Sequence, residues 1–152
     1  MKPTTNSAGL KMGRPSRPVA LSLGLIVATM TGGLVIRFIP LGLPAVIVKY
    51  GGSMLWALMI YWIISALLPS MRLLTVAVIT AALTIAVEFF KLHHSPALDG
   101  FRMTAAGIVL LGRVFSLRDI LAYLIAIMIG LLIDHGICSA ANSTSYPNQR
   151  RL

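Results

Sequence analysis

The stretch VALSLGLIVATMTGGLVIRF, residues 19–38, decides the fold class of this chain. It carries one charged residue, Arg37, next to its end. Because an α-helix rises about 1.5 Å per residue, a run of about 20 residues covers the hydrocarbon core of a bilayer, roughly 30 Å thick. A basic start before an apolar run also describes a signal peptide, but here more apolar sequence follows, and no small-residue cleavage site leads into a polar domain. We therefore interpret the stretch as an uncleaved membrane span.

Three further apolar runs are long enough to cross a bilayer. They are residues 52–68, residues 73–92 and the run from Asp119 to about Cys138. Two other apolar segments, 39–50 and 103–112, are too short to cross, and the first is broken by Pro40 and Pro44. Broken backbone at membrane depth survives only inside protein or beside a cavity. The sequence predicts an all-α fold, a polytopic membrane helix bundle of four spans plus a short re-entrant or interfacial helix at 103–112.

The composition agrees with one membrane domain between two polar tails. Of 152 residues, 57% are hydrophobic and 11% are charged, whereas soluble domains carry about 25% charged residues. We predict a disordered basic tail at 1–18, a transmembrane domain at 19–138 and a polar tail at 139–152. The net charge of +9 comes from basic residues at the ends of apolar runs. This placement favours membrane lipids as partners over nucleic acid, and the basic N-terminus favours a cytoplasmic location for both ends.

No cofactor or metal is expected from the motifs. Cys138 is the only cysteine, so a cysteine-based cluster is excluded. The pair His93 and His94, near Glu88 and Asp99, does not have the spacing of a helix-borne metal motif. Phosphate-binding glycine loops and nucleophile-elbow patterns are also missing from the sequence.

With four spans, both short apolar segments lie on the same side of the membrane. Six basic residues share that side: Arg37, Lys49, Lys91, Arg102, Arg113 and Arg118. Broken helices in a membrane bundle indicate a ligand site, and arginine binds phosphate with two parallel hydrogen bonds. The alternative is that each basic side chain extends to the lipid head groups by itself. Our candidate ligand-binding residues are Glu88, Arg102, Arg113, Asp119 and Lys49.

Each acidic residue has a structural alternative. Glu88 lies about one turn inside the end of a span, where a carboxylate is costly, and Lys91 is placed to form an ion pair with it. Asp119 or Ser116 can cap the last span. Asp134 and His135 can form an acid–imidazole pair, but anchoring at the membrane interface is favoured.

Three segments carry a family resemblance: VKYGGSMLWALMIYW (48–62), VEFFKL (87–92) and LDGFRMTAAGIVLLGRVFSLRDILAY (98–123). They resemble the domain-of-unknown-function 2809 family of short bacterial multi-span membrane proteins, over roughly residues 20–133. The shared pattern picks out Glu88, Arg102, Gly107, Gly112, Phe115, Asp119 and Tyr123. The chain departs from it at Ser53, Lys91 and Leu117, where Asp, Gln and Trp are expected. A fainter likeness is to the VanZ-like glycopeptide-resistance proteins.

The resemblance implies a bacterial inner-membrane protein but brings no activity with it. Three hypotheses follow from the residues. The first is a binding or accessory protein that holds an anionic lipid or lipid-linked head group, with Lys49, Arg102 and Arg113 as phosphate contacts. The second is a membrane-embedded enzyme acting on such a lipid, with Glu88 as general acid or base. The third is a small proton-coupled transporter, for which four spans are few unless the protein forms oligomers.

Overall fold

The computed structural model describes residues 19–112 and 114–144. The polar tail before Val19, Arg113 and residues 145–152 lie outside this range, so the expected disorder of the N-terminal tail stays a prediction. The described part is all helical, and its six helices are α1 Val19–Phe38, α2 Ala45–Leu67, α3 Leu73–Phe90, α4 Pro96–Arg102, α5 Ala105–Leu110 and α6 Leu117–Thr144.

Four of these helices, α1, α2, α3 and α6, are long and apolar enough to cross a membrane. The predicted fold class is therefore confirmed, and α1 has the predicted bounds. Two short helices, rather than one, connect α3 to α6. The last helix continues to Thr144, beyond the predicted end near Cys138, into residues that are more polar.

The prediction of a broken segment over residues 39–50 is wrong for its second half. Helix α2 begins at Ala45, so only residues 39–44 form the connection. Pro44 is the cap residue immediately before the first turn, with φ −53°. The backbone N–H groups of the first helical turn have no acceptor within the helix. Proline, which has no N–H group, therefore loses no hydrogen bond at this position and can begin a helix instead of breaking it. Lys49 consequently lies on a spanning helix.

Helices α2, α3 and α6 pack against one another, whereas α1 contacts α2 alone among the described helices. The buried core between the three contains Tyr61, Trp62, Val76 and Ile127. Gly130 of α6 lies so close to α2 that a β-carbon on it would be 3.0 Å from the Tyr61 ring. Small residues allow this close approach between membrane helices, where van der Waals packing replaces the hydrophobic effect.

The helices α4 and α5 form a small hairpin on the side of the membrane where α3 ends. Ser95 and Thr104 cap them by accepting hydrogen bonds from the backbone N–H groups of Leu98 and Gly107, at 3.4 and 3.0 Å. A β-carbon on Gly107 would overlap the backbone of α4, 2.6 Å from the carbonyl carbon of Phe101. Glycine is therefore required at residue 107 for the two short helices to meet.

Candidate functional site

A cleft of about 770 Å³ opens at the end of the bundle where α1 and α3 end and α2 and α6 begin. Helices α1, α2, α5 and α6 line it, together with residues at the end of α3. Among the described residues, its polar lining consists of Thr29, Arg37, Lys49, Ser53, Trp56, Lys91, Asp119 and Tyr123. The other described lining residues are apolar or glycine and include Met30, Leu34, Met59 and, at the end of α5, Ile108 to Leu111.

The cleft exists because α1 leans on α2 without reaching α6. The surface of α2 between them contributes Lys49, Gly52, Ser53, Trp56 and Met59. Gly52 has no atom within 4 Å of the place where a β-carbon would stand, so the space beside it is open.

The charged lining residues all lie near helix ends, at one level of the membrane. Arg37 is next to the end of α1, Lys49 is in the second turn of α2, and Asp119 is in the first turn of α6. Arg37 and Lys49 are exposed, and within the described chain neither forms an ion pair. Lys49 Nζ lies 5.3 Å from the centroid of the adjacent Tyr50 ring. Two cations are therefore available at the mouth of the cleft.

Glu88 stands behind the cleft and does not line it. Its side chain is fully buried and accepts three hydrogen bonds. The donors are Lys91 Nζ at 2.5 Å, the backbone N–H of Ser116 at 2.7 Å and the Tyr123 hydroxyl at 3.0 Å. These bonds join the end of α3 to the beginning of α6. Since Lys91 and Tyr123 line the cleft, Glu88 fixes two of its polar side chains.

Asp119 is the acidic group that faces the cleft directly. Its side chain is 5% exposed, and its Oδ1 atom is buried without any hydrogen-bond partner. It does not cap α6, because the backbone N–H of Asp119 itself donates to Ser116 Oγ, at 3.4 Å. The buried Nε1–H of Trp56, another lining residue, also has no acceptor. Its indole ring packs against the Tyr123 ring, with the centroids 5.6 Å apart. Two residues that line the cleft thus carry a buried acceptor and a buried donor without partners in the described chain.

Arg102 is 3% exposed and turned away from the cleft. Its guanidinium donates to the carbonyl oxygens of Phe90 and His93, at 2.8 and 2.9 Å, and to Asp99 Oδ1 at 3.1 Å. The last carbonyls of a helix lack partners within the helix and attract cations. Arg102 therefore ties the α4–α5 hairpin to the end of α3.

The structure divides the five residues that the sequence proposed. Lys49 and Asp119 line the cleft, Glu88 is one contact behind it, and Arg102 serves the hairpin. Arg113 lies outside the described residues. Sequence reasoning missed the cleft role of Trp56 and counted Arg37 only among the basic residues of that face. Span-borne Trp56 near the basic face was the available signal, because buried tryptophan normally needs an acceptor.

Asp134 does not lie at the surface of the bundle, where the sequence predicts an anchor at the membrane interface. It is fully buried and accepts hydrogen bonds from the hydroxyl groups of Tyr61 and Ser65, both at 3.1 Å. Tyr61 and Ser65 belong to α2, so Asp134 joins α6 to α2. Its neighbour His135 is exposed. The two residues cannot share one environment, because adjacent residues on a helix point in different directions.

A known protein family matches the part of the chain that contains most of the residues of this site. The model of the family described as "Protein of unknown function (DUF2809)" matches residues 42–127. The chain belongs to the DUF2809 family. The match runs from the connection before α2 into the middle of α6, so it includes Glu88, Lys91, Asp119 and Tyr123 but leaves out α1 and Arg37. It is shorter than the 20–133 of the sequence resemblance. No solved structure matches the chain.

Proposed function

We propose that this DUF2809 protein binds a membrane lipid with an anionic head group, as a binding or accessory protein of the bacterial inner membrane. The observation that carries the proposal is the cleft between α1 and α6, with two cations at one end that have no ion-pair partner in the described chain. The fold and the family establish a multi-pass membrane protein. The lipid, the binding role and the bacterial inner membrane are what we propose.

The polarity gradient of the cleft supports an amphiphilic ligand. Arg37 is at its charged end, and Met30, which also lines it, is seven residues earlier on α1. At about 1.5 Å per residue, Met30 lies roughly 10 Å deeper in the membrane. Met59 lies deeper than Lys49 on α2 in the same way. A head group at the mouth would therefore leave its acyl chain beside methionine, leucine and glycine.

The charges at the mouth favour an anion. Lys91 is neutralised by Glu88, but Arg37 and Lys49 have no such partner in the described chain. Cations next to the interface attract anionic lipids, and arginine adds directional hydrogen bonds to phosphate. With Asp119 ionised, one positive charge remains in excess at the mouth.

The enzyme and transporter hypotheses gain no support from a specific contact. Both relied on Glu88 as the proton-handling group. Glu88 has three hydrogen-bond donors and no surface on the cleft, so a ligand in the cleft would meet Lys91 and Tyr123 first. Both hypotheses stay predictions, and lipid binding is the function that the geometry favours.

The test is lipid binding by the full chain purified in dodecyl maltoside. Native mass spectrometry would measure the affinity for dioleoylphosphatidylglycerol of the wild type and of the double variant Arg37→Gln/Lys49→Gln. We expect at least a tenfold loss of affinity in the double variant, since two charge-assisted contacts are removed. The matched control is Arg118→Gln: Arg118 is exposed, at the same membrane level, and does not line the cleft.

Arg118→Gln should stay within twofold of the wild type. Equal losses in Arg118→Gln and in the double variant would mean that general surface charge attracts the lipid, and the proposal would be wrong. Wild-type protein without measurable affinity for the lipid would also overturn it.

A further inference from the structure

We propose that the anionic group of the bound lipid carries a hydrogen-bond donor, a hydroxyl or an ammonium group, which Asp119 accepts inside the cleft. This inference rests on the proposed function and specifies its ligand class. The ligand would be a phosphodiester lipid whose head group ends in a polar donor, rather than one with a bare or alkylated phosphate.

The first step is the state of Asp119 in the empty cleft. Asp119 lines the cavity, its side chain is 95% buried, and its Oδ1 atom has no hydrogen-bond partner in the described chain. A buried carboxylate oxygen without a donor is strongly unfavourable. Such atoms are rare in folded proteins, and a donor from a bound ligand would satisfy this one.

The second step is that the described residues do not supply the donor. Lys91, which also lines the cleft, is held by Glu88 Oε2 at 2.5 Å. Lys49 is close enough for its charge to act on Asp119, but the two form no salt bridge. Tyr123, one turn further along α6, gives its hydroxyl hydrogen to Glu88. In the described chain, the network behind the cleft therefore occupies Lys91 and Tyr123 and leaves Oδ1 without a donor.

The third step is the combination of groups that the cleft offers. Arg37, Lys49 and the free Nε1–H of Trp56 are donors, and they suit the oxygens of a phosphodiester. Asp119 offers an acceptor in the same cavity. A phosphate oxygen placed against an ionised Asp119 would be repelled, whereas a hydroxyl or ammonium group on the phosphate ester would bind it. Donor and acceptor sites together select a head group that has both properties.

The experiment compares three dioleoyl lipids by native mass spectrometry of the full chain in detergent. Phosphatidylglycerol and phosphatidylethanol are both monoanionic phosphodiesters, but only the first has hydroxyl groups. Phosphatidylethanolamine replaces the hydroxyls by an ammonium group. We expect the wild type to bind phosphatidylglycerol or phosphatidylethanolamine at least fivefold more tightly than phosphatidylethanol, and the preferred lipid identifies the donor.

The variant Asp119→Leu should bind phosphatidylethanol with the same affinity as the wild type. It should no longer bind phosphatidylglycerol or phosphatidylethanolamine more tightly than phosphatidylethanol. If Asp119→Leu does not accumulate, Asp119→Asn serves instead: its amide oxygen still accepts, so a hydroxyl preference should survive while an ammonium preference falls because the charge is gone.

The outcomes separate this inference from the proposed function. Equal wild-type affinity for all three lipids, still lost in Arg37→Gln/Lys49→Gln, would overturn the role of Asp119 and leave lipid binding in place. A preference that persists in Asp119→Leu would also overturn it, because the donor would then contact another residue. Failure of the wild type to bind any of the three lipids would overturn both proposals.

Discussion

The two halves of the bundle differ in what fills the space between their helices. In the closed half, where α2, α3 and α6 meet around Tyr61, Trp62, Val76 and Ile127, side chains and Gly130 fill the space between helices. In the cleft half, where α1 ends and α6 begins, the hydrogen bonds of Glu88 join the helices and α1 stands apart from α6. Packing leaves no room for a ligand, whereas a polar network can hold helices together beside an open space.

The comparison explains why the cleft half contains unsatisfied groups. Glu88 accepts three hydrogen bonds, whereas Asp119 Oδ1 and Trp56 Nε1 have no partners in the described chain. In the closed half, Asp134 has partners in Tyr61 and Ser65. A stability requirement alone would favour partners for every buried polar atom. A third such atom in the described chain, Arg102 Nε, lies in the α4–α5 hairpin and not in the cleft lining. The two exceptions that belong to cleft-lining residues lie in the half of the molecule where we place ligand binding.

The largest expected effect comes from breaking the polar network. Glu88→Ala leaves the buried Lys91 ammonium and the Tyr123 hydroxyl without their acceptor, and should lower the free energy of unfolding by about 3–5 kcal/mol. The comparison variant in the closed half is Val76→Ala, with an expected cost of about 2 kcal/mol from lost packing. Denaturation in detergent followed by circular dichroism measures both.

If Glu88→Ala lowered the free energy of unfolding by less than Val76→Ala does, the hydrogen bonds of Glu88 would not be what holds the helices of the cleft half together. The double variant Glu88→Gln/Lys91→Gln sharpens the result. It removes both charges and keeps hydrogen-bonding groups, so it should be more stable than Glu88→Ala.

An intermediate change in stability is expected when two buried glycines of spanning helices are replaced by alanine. Gly130→Ala places a methyl group against Tyr61 and Leu58, at 3.0 and 3.2 Å, and should cost about 1–3 kcal/mol. Gly52→Ala meets no atom within 4 Å and should stabilise the protein by about 0.5 kcal/mol, because alanine favours helix over the unfolded chain. Thermal denaturation monitored by size-exclusion chromatography compares the two. Equal losses would show that the space beside Gly52 closes in solution.

The smallest expected change in stability accompanies a specific loss of binding. Gly52→Leu adds a side chain to the open cleft, so the free energy of unfolding should change by about 0.5 kcal/mol or less. The same side chain occupies ligand space, and affinity for phosphatidylglycerol should fall about fivefold, or roughly 1 kcal/mol. Native mass spectrometry with Gly52→Ala as control measures this. Unchanged affinity in Gly52→Leu would place the lipid elsewhere.

The sequence predicted the spans well because each depends on a local property. Length and apolar composition define Val19–Phe38 and Leu73–Phe90 without reference to other helices. The start of α2 was placed too late because Pro44 was interpreted as a break, although a proline before the first turn is compatible with a helix. The short helix predicted at 103–112 corresponds to α5, Ala105–Leu110, whereas α4, Pro96–Arg102, lies before the predicted segment and meets α5 at Gly107.

For the site, the sequence determined which groups exist and at which membrane level they lie. Arg37, Lys49 and Asp119 lie near the ends of spans. Because consecutive spans alternate in direction, the sequence places all three on one side of the membrane. Spacing also indicated the pair of Glu88 and Lys91, three residues apart on one helix.

Only the tertiary structure decided which of these groups are satisfied and which are free. Arg102 and Arg37 are equivalent in sequence as basic residues on one side of the membrane, yet one is bound to carbonyls at the end of α3 and just beyond it, and the other lines an open cleft. The cleft itself results from α1 packing on α2 alone. Helix composition sets where a span crosses the membrane, but hydrogen-bond partners and gaps depend on how residues distant in sequence meet.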